Sequence, residues 1–575
     1  MIRYRCEIHG KDRSIWLKEN FCPECNHRKY VKTESDIYWC KRCNVPLYDK
    51  ICPICGTHGR RVASDLRPVF PEERLLVEII LGKPFCYKEA SVWNTSGNSY
   101  IIDGELKRFS IAALKELDTD AIREAYAANA DHNTDTAFLK YASQFVLCNQ
   151  DRFAEIEEEA LRYLQEVTAG YDAKDMFVSF SGGKDSTVTS DLVMRALSNP
   201  RILHIFGDTT LEFPETERYI DRFKKEHPVT PVISSRNKEK NFEELCKVIG
   251  PPSRVMRWCC TIFKTGAITR KISGLFRGKT KILAFYGIRR SESASRSKYE
   301  RETEGHKISK QITVSPIIDW LDYDIWLYLL TTKIDFNTAY RLGYTRVGCW
   351  CCPNNSAWSE FLSKIHMKEQ YEHWHQFLVD FAKSIGKADA KEYVDTGKWK
   401  ARQGGNGVSY AKKSVIAFEP CALEENAFNY ELQKPITEEL YELFKPFGYI
   451  NRSFGIERLG EIYIMRKSGQ PILKLQGRIG SSHLKVTILD HHIDGAQNLA
   501  AAEDKIKCQL TKYQMCIGCR ACEGICKHGA IRIESNEDGI TYHIDDTKCV
   551  RCAECVNHFI AGCYMRKVLA TKRNG

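Results

Sequence analysis

Met176-Phe177-Val178-Ser179-Phe180-Ser181-Gly182-Gly183-Lys184-Asp185-Ser186-Thr187 decides how the centre of this 575-residue chain folds. The first five residues are an apolar run of buried-strand length. A polar turn with two glycines follows directly, and Val188–Leu197 beyond it has helical character. Strand, Gly-rich turn and helix N-terminus bring unbonded N–H groups and the positive end of a helix dipole to one point, which makes an anion site. Gly182 and Gly183 let the backbone approach a phosphate without a Cβ clash. Ser181, Ser186 and Thr187 add hydroxyl donors, Lys184 adds a cation, and Asp185 stands beside it. The spacing is not that of Walker A, which needs four residues between its glycine and its Gly-Lys pair. The plain alternative is a tight turn joining two elements.

Outward from this loop, Ile202–Phe206, Val232–Ser234 and Ile282–Tyr286 are further short apolar runs, each closed by a turn or polar loop. Their alternation with helical patterns predicts a parallel α/β sheet. The expected fold class is thus α/β and multidomain, with a central parallel-sheet, Rossmann-like domain; the cysteine patterns quoted below add N-terminal zinc ribbons and, by resemblance, a C-terminal α+β ferredoxin-like domain. A chain of this length holds roughly three to five domains. We divide it into a zinc-ribbon region (1–60), an α+β region with helices (61–165), the nucleotide-binding domain (166–365), a helical extension and linker (366–420), a small α+β domain (421–505) and the ferredoxin domain (506–575).

Composition narrows the class. Hydrophobic residues at 43% and charged residues at 28% suit a soluble globular protein. No apolar run reaches the roughly 18 residues a membrane span requires. The opening Met1-Ile2-Arg3-Tyr4-Arg5-Cys6 has no signal-peptide core. The chain has 25 cysteines. Without a secretion signal they point to metal sites in a reducing cytoplasm rather than to disulfides. The net charge of +11 is compatible with nucleotides or a nucleic acid but does not select for them.

The cysteine spacings are specific. Cys516-x-x-Cys519-x-x-Cys522-x-x-x-Cys526, then Cys549-x-x-Cys552-x-x-Cys555 and Cys563, is the ligand pattern of two [4Fe–4S] clusters. At the other end, Cys40-x-x-Cys43 and Cys52-x-x-Cys55 form a compact zinc-ribbon set. Cys22-x-x-Cys25 with Cys6 and His9 is a candidate second zinc site; His9 is otherwise a surface residue.

Ser-Gly-Gly-Lys-Asp-Ser resembles the pyrophosphate-binding loop of the adenine nucleotide α-hydrolase superfamily, whose members split ATP between the α and β phosphates. Five ordered blocks narrow the resemblance to the phosphoadenosine phosphosulfate (PAPS) reductase family. They are His204–Thr216, Arg257-Trp258-Cys259-Cys260, Gly287–Ser293, Ser315–Trp320 and Arg346-Val347-Gly348-Cys349. The resemblance implies that Cys259, Cys260, Cys349 and Cys352 hold a third [4Fe–4S] cluster, with structural zinc or plain core cysteines as the alternative. Cys351, between two of these, is either a sulfur-relay residue or a small buried side chain. Arg254, Arg257, Arg289 and Arg290 are candidates for holding phosphate or sulfate, Arg289 foremost. Asp208, following a strand, is placed to orient the nucleotide or a Mg²⁺.

The C-terminal runs resemble bacterial two-cluster ferredoxins. That resemblance pairs Cys516, Cys519 and Cys522 with Cys563, and Cys549, Cys552 and Cys555 with Cys526. Lys527 stands where those proteins have proline, and Cys563 follows Cys555 at an unusually long spacing. Residues from Asp65 to Glu73 loosely resemble the zinc-ribbon and PUA-type RNA-binding segments fused to some members of the PAPS reductase family.

Two enzymatic readings follow. In the first, the chain binds ATP, adenylylates a nucleic acid (RNA or DNA) and transfers sulfur to it. A donor such as a cysteine desulfurase brings the sulfur, and an electron donor acts through the ferredoxin clusters. Enzymes of RNA thiolation and DNA phosphorothioation resemble this combination. In the second, it is a sulfonucleotide reductase that makes sulfite. The assimilatory enzymes' Glu-Cys-Gly-Leu-His segment is absent, so Cys351, Cys421 or the ferredoxin clusters would replace its cysteine. A redox-sensing nucleic-acid scaffold is the third, non-enzymatic reading, and the complete phosphate loop argues against it. No membrane partner is expected.

Overall fold

The computed structural model describes residues 3–6, 31–108, 114, 116–237, 241–254, 257–293, 296–304, 310–401, 416–493, 496–516, 518–536, 539–557 and 563. They fall into two units: residues 1–234, 280–304 and 311–374, and residues 235–279, 305–310 and 375–575.

The first unit is built around a six-stranded sheet. Its order is Val232–Arg236, Leu203–Asp208, Met176–Phe180, Ile282–Tyr286, Gln311–Val314, Glu302–Glu304. Met176–Phe180 pairs in parallel with Leu203–Asp208 on one side and with Ile282–Tyr286 on the other. Ile282–Tyr286 pairs in parallel with Gln311–Val314, and Glu302–Glu304 closes the edge antiparallel. Central parallel strands are covered on both faces, which is why these runs are continuously apolar rather than alternating. On one face Met176, Val178, Leu283 and Phe285 pack with Ile156, Leu164, Leu192 and Trp326 from the helices Gln150–Thr168, Lys184–Ala196 and Asp322–Thr332. Phe180 and Phe206 pack with Tyr219, Ile220 and Phe223 of the helix Pro214–Glu226.

Two small antiparallel sheets precede this core. Ile37–Cys40 lies between Val45–Leu47 and Arg60–Ala63, and Arg67–Pro68, Val92–Ser96, Ser99–Ile102 and Glu105–Arg108 follow. They share a buried cluster with the helix Asp322–Thr332 through Trp93, Phe145, Tyr323 and Leu327. Asn149 locks the joint: its amide donates to Pro46 O at 3.0 Å, and its Oδ1 accepts from Tyr48 N at 2.9 Å and Tyr323 Oη at 2.6 Å.

The second unit contains the helix Phe242–Ile249, a π-helical turn Cys260–Thr265 running into the helix Gly266–Leu275, and a six-stranded antiparallel sheet. That sheet runs Ala417–Pro420, Ala427–Glu431, His483–Ile488, Pro471–Gln476, Glu461–Met465, Tyr449–Asn451. The helix Leu499–Met515 passes from it to the cysteine-bearing segment, with the hairpin Ile531–Asn536 and Gly539–Ile544 beyond. Leu473, Val486, Ile506, Leu510, Cys522, Ile533 and Cys555 belong to one continuous core, so the sheet and the cysteine-bearing segment stabilise each other. Among the described residues no helix is long and apolar enough to cross a membrane.

Candidate functional site

The loop after Met176–Phe180 turns sharply. Gly182 has φ +72°, and a β-carbon there would lie 2.9 Å from Thr216 Cγ2, so both conformation and space require glycine. Asn337 fixes the turn by donating to Gly182 O at 3.0 Å and to Thr216 Oγ1 at 2.8 Å. The helix begins at Lys184, earlier than Val188, with Gly183 as its cap. Ser181 N–H and Oγ–H both donate to Ser186 Oγ, at 3.2 and 3.1 Å, while Thr187 Oγ1 lies 2.8 Å from Tyr219 Oη. The N–H of Lys184 donates to Tyr340 Oη at 3.1 Å.

A buried charge cluster stands at this helix end. Lys184 is 3% exposed and Arg289 4%. Lys184 Nζ lies 3.2 Å from Asp185 Oδ2 and 3.0 Å from Asp322 Oδ1. Arg289 spans the same two carboxylates, donating from Nε to Asp185 and from Nη2 to Asp322 at 2.9 Å. Burial alone would raise the Asp185 carboxyl; the Arg289 and Lys184 charges overcome it and hold it well below the usual range. Asp65 supports the cluster from beneath. Its two oxygens accept the N–H groups of Asp322 and Tyr323, both at 3.0 Å, capping the helix Asp322–Thr332. Burial, with Asp322's charge adding, pushes Asp65 up to about 7.

Of the other arginines, Arg290 pairs with Asp319 and donates from Nε to Tyr299 O at 3.0 Å, which makes it a structural tie. Arg254 and Arg257 are exposed and belong to the second unit.

Asp208 ends its strand and accepts the N–H of Thr210 at 3.0 Å. Thr209 beside it donates through Oγ1 to Glu212 at 2.7 Å, and that hydroxyl lies 3.5 Å from Cys349 Sγ. Glu212 and Cys349 form a β-bridge, and Trp350 N–H donates to Leu211 O at 3.0 Å. The Cys349-x-x-Cys352 turn is therefore laced to the loop that carries Asp208. Asn355 steadies it through the carbonyls of Cys349 and Trp350. Cys351 is 6% exposed. Cys259 and Cys260 lie in the second unit, at the head of the π-helical turn; Cys260 is exposed.

That turn has a close neighbour in its own unit. A β-carbon on Gly266 would lie 2.8 Å from the carbonyl oxygen of Cys519, so the cysteine-bearing loop rests directly on the start of this helix.

The C-terminal cysteines form two groups. Cys526, Cys549, Cys552 and Cys555 line one small pocket together with Ala530, Ile531 and Ile544. Cys516 and Cys519 feel the thiols of both Cys522 and Cys563, and Cys519, Cys522 and Cys563 are all buried. Burial pushes the Cys516 and Cys555 thiols up to about 12. Crowded, buried thiols of this kind suit a metal cluster that holds them as thiolates.

In the N-terminal quartet, the Sγ atoms of Cys40, Cys43, Cys52 and Cys55 all lie within 4.8 Å of one another, a set able to hold one metal ion. Cys40 and Cys55 approach to 3.4 Å, Cys43 and Cys52 to 3.7 Å. Cys148, which the spacing gave no reason to choose, stands 3.7 Å from Cys52. For the candidate second site, Cys6 lies in a strand, Arg3–Cys6, paired with Val31–Glu34, while His9, Cys22 and Cys25 lie outside the described residues.

Asp322 and Asp65 were not singled out from the sequence. Asp322 falls two residues past the end of a recognised block, and Asp65 opens the stretch read only for its loose RNA-binding resemblance; nothing local marks either one as part of the phosphate-loop cluster.

Residues 175–355 match the model of the phosphoadenosine phosphosulfate reductase domain, and residues 515–558 that of a 4Fe-4S dicluster domain. An uncharacterized protein of Methanocaldococcus jannaschii is 32% identical over 227 residues, 40% of this chain and 46% of that protein, so the chain spans about half of that relative's length. The adenosine 5'-phosphosulfate reductase of Anoxybacillus flavithermus is 30% identical over 203 residues, 34% of this chain and 80% of that enzyme. The crystal structure of phosphoadenylyl-sulfate reductase from Candida auris, a phosphate complex, aligns at 15% identity and a TM-score of 0.27, over 35% of this chain and 96% of that one. With its α/β domain so matched and its cysteine-rich segment following, the chain belongs to the phosphoadenosine phosphosulfate reductase family and carries a 4Fe-4S dicluster domain behind the family's own.

Proposed function

We propose that this chain binds ATP on the Ser181–Thr187 loop, opens it between the α and β phosphates, and uses the adenylylated acceptor to transfer sulfur to a nucleic acid. The observation that carries the reading is the buried cluster at the loop: two cations, Lys184 and Arg289, held by two carboxylates, Asp185 and Asp322. The cations suit a polyphosphate, and the carboxylates suit a Mg²⁺ that travels with it. Asp208, at the strand end, orients the nucleotide or its Mg²⁺.

In this reading Cys259, Cys260, Cys349 and Cys352 hold one [4Fe–4S] cluster. Cys516, Cys519, Cys522 and Cys563 hold a second, and Cys526, Cys549, Cys552 and Cys555 a third. Cys40, Cys43, Cys52 and Cys55 hold zinc. When loaded, the clusters supply electrons and a site for sulfur; Cys351 is a thiol beside that site. The Gly266–Cys519 contact supports passage of electrons from the dicluster segment to the helix headed by Cys260. A cysteine desulfurase-type donor and an external electron donor are the implied partners.

A second reading, a sulfonucleotide reductase that makes sulfite, is favoured by the match to an adenosine 5'-phosphosulfate reductase over 80% of its length. Anaerobic incubation of cluster-loaded protein with ATP, or with adenylyl sulfate or PAPS plus a reductant, separates the two. Pyrophosphate stimulated by tRNA or DNA supports the first. Sulfite without pyrophosphate sinks it and supports the second.

A further inference from the structure

Lys512 is a buried cation without a counter-charge among the described residues. It sits in the last turn of the helix Leu499–Met515 and is 1% exposed. Its Nζ donates to Cys555 O at 3.1 Å and lies 5.9 Å from the ring centroid of Tyr542. One hydrogen bond occupies one of its three N–H groups. Among the described residues no carboxylate lies within ion-pair distance. Its own carbonyl accepts the N–H of Cys516 at 3.0 Å, which places the residue one turn before the first cysteine run. Lys512 thus touches both cysteine groups of the segment, Cys516 through its backbone carbonyl and Cys555 through its side chain.

Burying an unpaired ammonium is costly, and a chain keeps one only where an anion arrives to meet it. An iron–sulfur cluster held by four thiolates is such an anion, and its negative charge grows on reduction. Cluster potentials respond to local charge and hydrogen bonding as well as to cluster type. We infer that Lys512 is the shared counter-charge of the two clusters in the C-terminal segment and raises the reduction potential of both. The inference rests on the proposed assignment of those two clusters. The step it affects is a one-electron reduction of each cluster by an external donor, with no bond made or broken in the protein.

Full-length protein, purified anaerobically, is titrated with dithionite while cluster signals are followed by electron paramagnetic resonance. Four forms are compared: unaltered, Lys512→Met, Lys512→Gln and Lys512→Arg. Met and Gln are expected to move the reduction equilibrium of the dicluster signals about tenfold toward the oxidised state, a fall of about 59 mV for one electron. Arg retains the charge and is expected to restore the equilibrium. If Met and Gln both fail to retain iron while Arg retains it, the counter-charge is needed to hold the clusters, and the inference stands. An iron-replete Met or Gln form with unchanged potentials overturns it. So does an Arg form that loses iron as readily as Met, since the role is then packing. Iron analysis of the unaltered protein isolates the underlying assignment: too little iron for two clusters in this segment defeats that assignment whatever the variants do.

Discussion

Gly266 and Cys519 meet so closely that the glycine's missing side chain is part of the contact: a β-carbon would stand 2.8 Å from the Cys519 carbonyl oxygen and 2.9 Å from that of Thr261. Both obstacles are backbone and neither yields easily. Replacing glycine by alanine inside a helix ordinarily stabilises by about 1 kcal/mol. Here the sign should reverse. Gly266→Ala is expected to destabilise by about 1–3 kcal/mol, the usual cost of overpacking, and, on the proposed ligand assignment, to perturb the resonance signal of the cluster held by Cys519. Denaturant unfolding together with the cluster spectrum checks it. A more stable Gly266→Ala protein with an unaltered spectrum would show that the two segments do not touch.

Lys184 bridges Asp185 and Asp322, and Arg289 bridges the same pair. Removing one cation leaves the other to hold both acids, so Lys184→Ala should fold and keep its iron and zinc. On the proposed function it loses a charge-assisted bond to phosphate, worth about 1.5–3 kcal/mol, or about 10- to 150-fold in affinity. Calorimetric titration with ATP is the check. Unchanged affinity would place the polyphosphate elsewhere.

The parts that chemistry repeats locally were legible in the sequence. The strand Met176–Phe180 and the Gly-Gly turn are marked by consecutive residues, and the cysteine groups by regular spacing. The helix starts at Lys184, four residues before the Val188 that the pattern predicts, because Ser186 and Thr187 are poor interior helix formers yet serve well where their hydroxyls bond to Gly183 O. What stayed hidden depends on distant pairing. Asp65 and Asp322 lie 257 positions apart and meet only because the N-terminal sheets pack on the helix Asp322–Thr332. Lys512 looks like any solvent-facing lysine until the fold buries it. Cys148 has no metal-ligand spacing and approaches the quartet only through tertiary packing.

Asp65 carries a pH dependence of definite sign. Its folded value, about 7, lies above the ordinary carboxyl value of 3.8. A raised carboxyl contributes stability that is fully present below about pH 4 and is lost as pH rises through about 7. Asp65→Asn removes that titration. It also gives up one of two capping acceptors, a pH-independent cost of about 1 kcal/mol. The stability difference between the variant and the unaltered protein should therefore move in the variant's favour as pH rises from about 4 to about 8. Parallel unfolding curves across that range would mean that Asp65 is charged throughout.

The N-terminal cysteine quartet and the charge cluster at the Gly182–Gly183 turn both lean on the helix Asp322–Thr332. Cys40 and Cys52 belong to the same buried cluster as Trp93, Phe145, Tyr323 and Leu327. Tyr323 and Leu327 lie on the helix whose first residue, Asp322, pairs with Lys184 and Arg289. A structural metal contributes folding free energy directly, because its site does not exist in the unfolded chain. Losing it should loosen the sheet Ile37–Ala63 first, then the packing under that helix, and through Asp322 the charge cluster. Cys43→Ser is expected to lose the zinc, lower the thermal midpoint and weaken ATP binding several-fold, with the C-terminal iron retained. Metal analysis, thermal unfolding and calorimetry on one preparation test the chain of effects. Zinc-free protein that binds ATP as tightly as before would confine the quartet to local stability and break the link through Tyr323.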